Sequence, residues 1–548
     1  YMNWIKHHEE KSETDEVTQL SRMPLISVVM STYNTPTHYL QKAIQSVLTQ
    51  SYPHWELCIA DDASDNKETL QLLRSYQKES DKIHIQFRRE NGHISAASNT
   101  ALKMAQGEFI ALMDHDDMLA PHALLEAVKA INQYPHAKLL YSDEDKIDEK
   151  GRRYDPHFKT EWNPDLFFSQ NYLSHLTIMR KELFEQLGGF RSGYEGAQDY
   201  DLLLRSLDYL EEYEIIHIPG ILYHWRAIEG SSALNSAEKP YTSEAGLLAL
   251  KDYLYKRYPD TEVKLGMVPN TYKVVYPLQR VPLISLIIPT RDSYAILHKC
   301  IQSILEKTRY KNYEIIIIDN QTKDLKTLDY FKQLRSRYPI IRIVSYDKPF
   351  NYAAMNNFGA TQARGELLGL INNDIEVISE EWLNEMVQHA LRPGIGAVGA
   401  KLYYDDGTIQ HAGVILGIGG VAGHSHKYFH RNDDGYFSRL KIIQNLSAVT
   451  SACLILRKKL YLEVGGMDAV YLKVAFNDVD LCLKIRQLGY RNLWTPYARL
   501  YHHESLSRGA EDTKEKKIRF AREVAFMQKK WGAQLQTDPY YSQYLTLR

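Results

Sequence analysis

At 548 residues the chain exceeds what one hydrophobic core ordinarily fills, so two domains are expected. Its 44% apolar and 24% charged residues match a soluble globular protein, and no apolar run reaches the roughly eighteen residues of a membrane span. A net charge of −2 excludes a nucleic-acid binder that works by bulk charge.

In chain order, residues 1–22 are charged and read as a solvated lead-in. The polar start offers no secretory signal, and a first residue of Tyr1 suggests a piece of something longer. The stretch from Pro24 to Asn34 begins a strand that ends in a polar loop. A helical stretch to about Leu48 follows, then a second strand from Trp55 that runs into Asp61 and Asp62. Strand, helix, strand, helix predicts a parallel sheet with right-handed crossovers. Residues 107–117 are a short apolar run ending in Asp114, His115, Asp116 and Asp117. Such a run reads as a buried strand with its polar end in the following loop, the place where open α/β sheets bind ligands. Carboxylates there suit a hard divalent cation shared with phosphate oxygens.

The pattern then repeats 258 residues on: Pro24 recurs as Pro282, Asp61 as Asp319, Asn99 as Asn357 and Asp116 as Asp374. A period this long marks a duplicated domain, not a solenoid. The expected division is a lead-in at 1–22, a first domain at 23–257, a linker at 258–281, a second domain at 282–532 and a tail at 533–548 packed on the second domain. Asp116 and Asp199 are 83 residues apart, against 104 for Asp374 and Asp478. The second half thus carries an insertion, placed in the Gly- and His-rich stretch 413–430. Within it Gly417–Ala422 fits a dinucleotide-loop pattern, but nothing after it reads as the helix that loop must open. His411, His424 and His426 lack the spacing and cysteines of a zinc site; an acceptor-side loop fits better. Past Glu511, Phe520, Val524, Met527 and Trp531 give one helix an apolar docking face. The four cysteines, Cys58, Cys300, Cys453 and Cys482, sit in apolar runs without CxxC spacing. They read as buried thiols, which fits a reducing cytoplasm.

Several motifs carry a resemblance. In the first half they are Val28–Asn34, Asp61-Asp62, Asp114–Asp117, Gly188–Phe190, Gln198–Leu202 and Tyr223–Arg226. In the second they are Ile318–Asn320, Asn372–Asp374, Gly465–Met467, Asn477–Leu481 and Tyr501–Ser505. The ordered set, present twice, resembles family-2 glycosyltransferases, so the expected fold class is α/β with two tandem GT-A domains. The resemblance implies inverting transfer from a nucleotide sugar (UDP-, dTDP- or GDP-linked) to a lipid-linked glycan acceptor of the O-antigen or capsule type. It also implies Mn²⁺ or Mg²⁺, no nucleic acid, and a cytoplasmic protein with peripheral association at the inner membrane. Rival readings are one catalytic domain beside a glycan-binding one, a sugar-nucleotide pyrophosphorylase, and a glycan-binding protein without chemistry. The pyrophosphorylase wants a Gly-rich loop that Ser31–Asn34 lacks, and the paired aspartates speak against a pure binder.

Inverting transfer needs the leaving diphosphate neutralised, a base for the acceptor hydroxyl and reactants held in line. By resemblance Asp116 is the direct metal ligand of the first site, with Asp117 and His224 beside it, and Asp374 and His502 serve the second. Asp114 counts among both metal and donor contacts, although it could instead cap the following helix. His224 alone could be a core histidine, but His224 follows Asp199 by 25 residues and His502 follows Asp478 by 24. Asp199 and Asp478 are the candidate bases. Where the family has Glu-Asp, this chain has Gln198-Asp199 and Asn477-Asp478, which removes a neighbouring negative charge. Asp201 and Asp480 are assigned to bracing their helices. Thr32, Tyr33, Asp61 and Asn99 are the further donor contacts of the first site. Thr290, Arg291, Asp319, Asn357, Asn372 and Asn373 are those of the second. Asp61 and Asp319 would accept from a pyrimidine imide N–H, with a turn-forming aspartate as the alternative.

Overall fold

The computed structural model describes residues 1–9, 20–228, 240–504 and 513–547; most of the lead-in, residues 10–19, falls outside them. The chain forms two compact units, one of Tyr1–Trp162 and Gln170–Val274, the other of Asn163–Ser169 and Val275–Arg548.

The first unit is built on β1 (Ile26–Thr32), β2 (Trp55–Asp61), β3 (Ile83–Phe87), β4 (Phe109–Leu112), β5 (Met118–Leu119), β6 (Leu139–Ile147), β7 (Arg153–His157), β8 (Thr177–Arg180) and β9 (Ile215–Arg226). They form one sheet in the order β3-β2-β1-β4-β8-β6-β9-β5, with β7 on β6. β1 runs parallel to both β2 and β4, whereas β4 and β8 are antiparallel. The crossovers leave β1 in opposite directions, which opens a crevice at its carboxyl end. Apolar runs with both faces covered explain why β1, β2 and β4 are almost wholly buried.

A small hairpin of β10 (Glu262–Leu265) and β11 (Tyr272–Val275) lies within 258–281. The second unit follows with β12 (Ile284–Thr290), β13 (Tyr313–Asp319), β14 (Ile341–Ser345), β15 (Leu367–Ile371), β16 (Ile375–Val377), β17 (Ile395–Tyr403), β18 (Ile409–His411), β19 (Val414–Leu416), β20 (Ala422–His424), β21 (Gln444–Leu446), β22 (Cys453–Arg457) and β23 (Arg491–His502). Its main sheet, β14-β13-β12-β15-β22-β17-β23-β16, repeats the first sheet's order strand for strand.

The duplication reaches individual hydrogen bonds. Ser27 Oγ donates to Glu56 Oε1 at 2.5 Å and accepts from Gly107 N; Ser285, Glu314 and Gly365 repeat this with 2.6 Å for the hydroxyl bond. Tyr52 and Tyr310 each donate to the carbonyl of Pro24 or Pro282. A Cβ on Gly107 or Gly365 would lie 2.6 or 2.7 Å from the Leu25 or Leu283 carbonyl oxygen. That crowding explains why a glycine opens each acidic-turn strand.

The two units differ after this shared framework. The antiparallel hairpin β19–β20 has no counterpart among the described elements of the first unit, and Gly417–Gly420 form its turn, not the start of a long helix. The helix Lys514–Trp531 buries Met527 and Trp531 in the second unit's core, with Val524 against it, while Phe520 is 41% exposed. Leu535 and Tyr540 join the same core. All four cysteines are free and buried; burial raises the Cys58 and Cys482 thiols to about 12. Among the described residues no helix is long and apolar enough to cross a membrane.

Candidate active sites

In the first unit the register pairs Thr32 with Asp61 at the ends of β1 and β2, and the turn after β4 brings up Asp114–Asp117. Asp61 is buried; its Oδ2 accepts from Ser64 N at 3.1 Å, and Oδ1 has no protein partner. Thr32 Oγ1 lies 2.7 Å from Thr35 Oγ1, and the Tyr33 ring is half exposed. Asp117 is buried, taking the Tyr223 hydroxyl at 2.6 Å and Arg226 N at 2.7 Å. Arg226 Nε donates to the Asp116 carbonyl at 2.6 Å, while its two Nη groups are buried without a hydrogen-bond partner and the guanidinium lies over the Tyr39 ring.

Asp114, Asp117 and His175 offer ligand atoms within 4.8 Å of one another. His175 Nε2 is 3.8 Å from Asp114 Oδ2, and its Nδ1 is 3.1 Å from Glu144 Oε2. Burial pulls the His175 imidazole down, but Asp114 and Glu144 outweigh it and hold it well above the ordinary histidine value. Burial, then the charges of Asp116 and Asp114, drives the Asp117 carboxyl well above the usual carboxylate range. Burial also acts on Asp114, yet the hydrogen bond and charge of His175 hold that carboxyl below its usual value. A divalent cation is what such crowded carboxylates accommodate, so this donor set fits one.

Asp116 and His224, assigned to the metal from sequence, stand outside that trio. Asp116 has His115 Nδ1 at 3.8 Å. His224 sits opposite Asp145 in the β6–β9 register, and its Nδ1 is 2.6 Å from Asp145 Oδ1. Donating that proton leaves the lone pair on Nε2, the form a ligand to metal requires. Asp199 opens the helix Gln198–Ser206, and Asn171 Nδ2 donates to its Oδ2 at 2.8 Å. Asp201 is tied to Arg191 and, at 2.9 Å, to Arg205.

In the second unit a cleft of about 270 Å³ gathers Thr290, Arg291, Asn372, Asn373 and Asp374 with Asn320, Phe350 and Tyr352. Asn373 Nδ2 donates to Thr290 Oγ1 at 3.0 Å. His502 Nε2 is 3.3 Å from Asp374 Oδ1 and 3.2 Å from Asn372 Nδ2. Asp319 Oδ1 accepts from Thr322 N at 3.0 Å. The Tyr352 hydroxyl bonds Asn372 Oδ1 at 2.8 Å and the Ser451 carbonyl at 3.2 Å; Ser451 N in turn donates to Asp478 Oδ2 at 3.0 Å. Two residues, Tyr352 and Ser451, therefore join the candidate base to the turn after β15.

Asn99 and Asn357, read from the sequence as donor contacts, bond to backbone. Asn99 donates to the Phe190 carbonyl and accepts from Phe190 N, both at 2.8 Å; Asn357 does the same for Met467 at 2.8 and 2.9 Å. Each amide holds the Gly-Gly loop before the helix that carries the candidate base. A Cβ on Gly189 or Gly466 would come within 2.3 or 2.4 Å of the asparagine oxygen.

Sequence reading did not find His175, Glu144, Asn171, Tyr352 or Ser451. They reach the sites only through tertiary folding, and no local spacing marks them. Tyr223 and Arg226 did lie in a quoted motif, but no role was attached to them.

Residues 27–188 and 285–465 match glycosyl transferase family 2. The chain belongs to glycosyl transferase family 2. Its two tandem α/β domains are accordingly of the GT-A class. An uncharacterized protein of Sinorhizobium fredii is 48% identical over 97% of this chain and 58% of its own length. The O-antigen biosynthesis protein RfbC of Myxococcus xanthus is 36% identical over all of this chain and 42% of its own length. The chain thus spans about half the length of these curated relatives. Among solved structures, the mannosyltransferase PcManGT of Pyrobaculum calidifontis, in complex with GDP-Man and Mn²⁺, has a TM-score of 0.35. It is 15% identical and covers 54% of this chain and 75% of its own.

Proposed function

We propose that each unit is an inverting, metal-dependent glycosyltransferase site, and that the pair extends a bacterial surface glycan of the O-antigen or capsule type. The observation that carries this reading is the repeated placement of one aspartate at the first turn of a helix, Asp199 within electrostatic reach of Asp114 and Asp478 linked through Ser451 and Tyr352 to Asn372. The relative that functions in O-antigen biosynthesis supports the glycan class.

The donor is a nucleotide sugar. The buried, unpartnered Oδ1 of Asp61 is an acceptor for a pyrimidine imide N–H, and the exposed Tyr33 ring offers a stacking face; Arg291 replaces that face in the second site. Thr32, Asp114, Thr290, Asp319, Asn372 and Asn373 complete the donor contacts. Asp114, Asp117 and His175 would hold a divalent cation in the first site, with Asp116 and His224 adjoining. Asp374 and His502 would do so in the second. When bound, Mn²⁺ or Mg²⁺ neutralises the leaving diphosphate's charge. Asp199 and Asp478 take the proton from an acceptor hydroxyl as it attacks the anomeric carbon.

The test is product analysis by mass spectrometry with nucleotide sugars and a synthetic lipid-linked oligosaccharide. Asp199→Asn is expected to lose one transfer and Asp478→Asn the other, each by about a hundredfold or more, with donor binding intact. Wild-type rates for either variant with every acceptor would reject that base.

A further inference from the structure

We infer that His424, supplied by a hairpin that only the second unit has among the described residues, donates a hydrogen bond from Nε2–H to the sugar acceptor of the second site, and that His411 sets it in that tautomer. This rests on the reading of Asp478 as that site's base. His411 ends β18 and is wholly buried; His424 ends β20 and is half-buried. Their Nδ1 atoms lie 2.8 Å apart, so one must carry a proton and the other must not. Thr450 N–H points at His411 Nε2 at 3.4 Å, and a backbone amide can only donate. His411 Nε2 is therefore the acceptor, its proton is on Nδ1, and it donates to His424 Nδ1. The remaining proton of His424 is on Nε2, which has no protein partner among the described residues.

The next backbone group completes the argument. Ser451 N–H holds Asp478 Oδ2 at 3.0 Å, so two successive amides of one short segment fix the histidine pair and the candidate base together. The charged and titratable groups around His424 are Asp478, Lys427, Glu504 and His502, with His411 behind it. Burial holds His424 down at about 4 and His411 well below the ordinary histidine value, so both rings are neutral near pH 7. A neutral pair can sustain a directed relay, whereas a doubly protonated ring would turn a donor toward the Thr450 amide. The first unit holds Asp199 differently, through the Asn171 side chain, and has no such hairpin among its described residues. The acceptor contact is thus specific to one of the two sites.

The experiment uses the full chain. Nitrogen-15 imidazole spectra, assigned with His411→Gln and His424→Gln, are expected to show His411 as the Nδ1–H and His424 as the Nε2–H neutral tautomer at pH 7. The opposite tautomers, or a charged ring, would overturn the relay. In the Asp199→Asn chain, where only the second transfer operates, His424→Ala is expected to raise the acceptor KM about tenfold while the donor KM holds. A merely structural role would move both together, and an unchanged acceptor KM would refute the contact. The probe is the synthetic lipid-linked oligosaccharide that the unaltered chain extends. If Asp478→Asn retained full activity, the base reading alone would fall, because tautomer and acceptor KM are read independently of it. If the unaltered chain extended no acceptor, the acceptor contact would fall together with the transferase reading, whatever the spectra showed of the tautomers.

Discussion

Asp199 and Asp478 differ in what holds them, and that difference is measurable. Burial, chiefly, raises the Asp199 carboxyl, while His175 and the Asn171 amide act to lower it. A base must be ionised to accept a proton, so a raised value means activity is lost at a higher pH as the solution is acidified. In the Asp478→Asn chain, the first transfer's rate is expected to fall on the acid side at a pH above the ordinary carboxylate range. Removing the donor with Asn171→Ala withdraws support from the charged form and should move that limb further upward. A limb that stays fixed in Asn171→Ala would show that the amide does not act on the base. Asp117 offers a second check at this scale. Its carboxyl group receives the Tyr223 hydroxyl, so Tyr223→Phe should weaken metal binding at the first site by several-fold, readable by calorimetry. Unchanged affinity would remove Tyr223 from the site.

At the scale of elements, the C-terminal helix Lys514–Trp531 is fastened by the second acidic residue of the Asn477–Leu481 motif. Asp480 is fully buried and accepts from Lys530 Nζ at 2.6 Å and Trp531 Nε1 at 2.9 Å. Asp480→Ala would leave Lys530 and the indole N–H without this partner, at a cost of about 2–3 kcal/mol with Lys530 partly in water. Hydrogen exchange across 514–531 should quicken while β12 and β13 stay protected; equal protection in both proteins would refute this role. Such an element was legible because its apolar residues recur at helical spacing. The strands were legible for the same kind of reason: Ile284–Thr290 and Tyr313–Asp319 are apolar runs bounded by polar turns, and the repeat at 258 residues doubled the signal. The sites were only partly legible. Carboxylates at strand ends stood out, but His175 and Ser451 gain their roles from β8 and β22 lying beside β4 and β15. Asn99 and Asn357 were matched by position, yet only the fold shows both amide ends taken by backbone.

For the whole molecule, one duplicated framework carries two unequal candidate metal sites. The shared strand order puts Asp114–Asp117 and Asn372–Ile375 at equivalent places, so three carboxylates in one turn face one in the other. Two of the three, Asp114 and Asp117, share ligand distance with the His175 imidazole, and Asp116 lies outside that group, whereas Asp374 has His502 at 3.3 Å and asparagine neighbours. Hard cations bind more tightly as ligand charge rises, so the first site should hold Mn²⁺ more strongly without donor. The second must draw more of its oxygen ligands from the donor's diphosphate. Titrating Mn²⁺ into the Asp374→Ala and Asp114→Ala chains, with and without nucleotide sugar, separates the two sites. The expected outcome is tight binding that survives in Asp374→Ala without donor, and weak binding in Asp114→Ala that strengthens several-fold once donor is added. Chelation during turnover should then stop the second transfer at lower chelator concentration than the first. Equal affinities, or equal sensitivity to chelator, would mean that carboxylate count does not set the metal's hold in this pair.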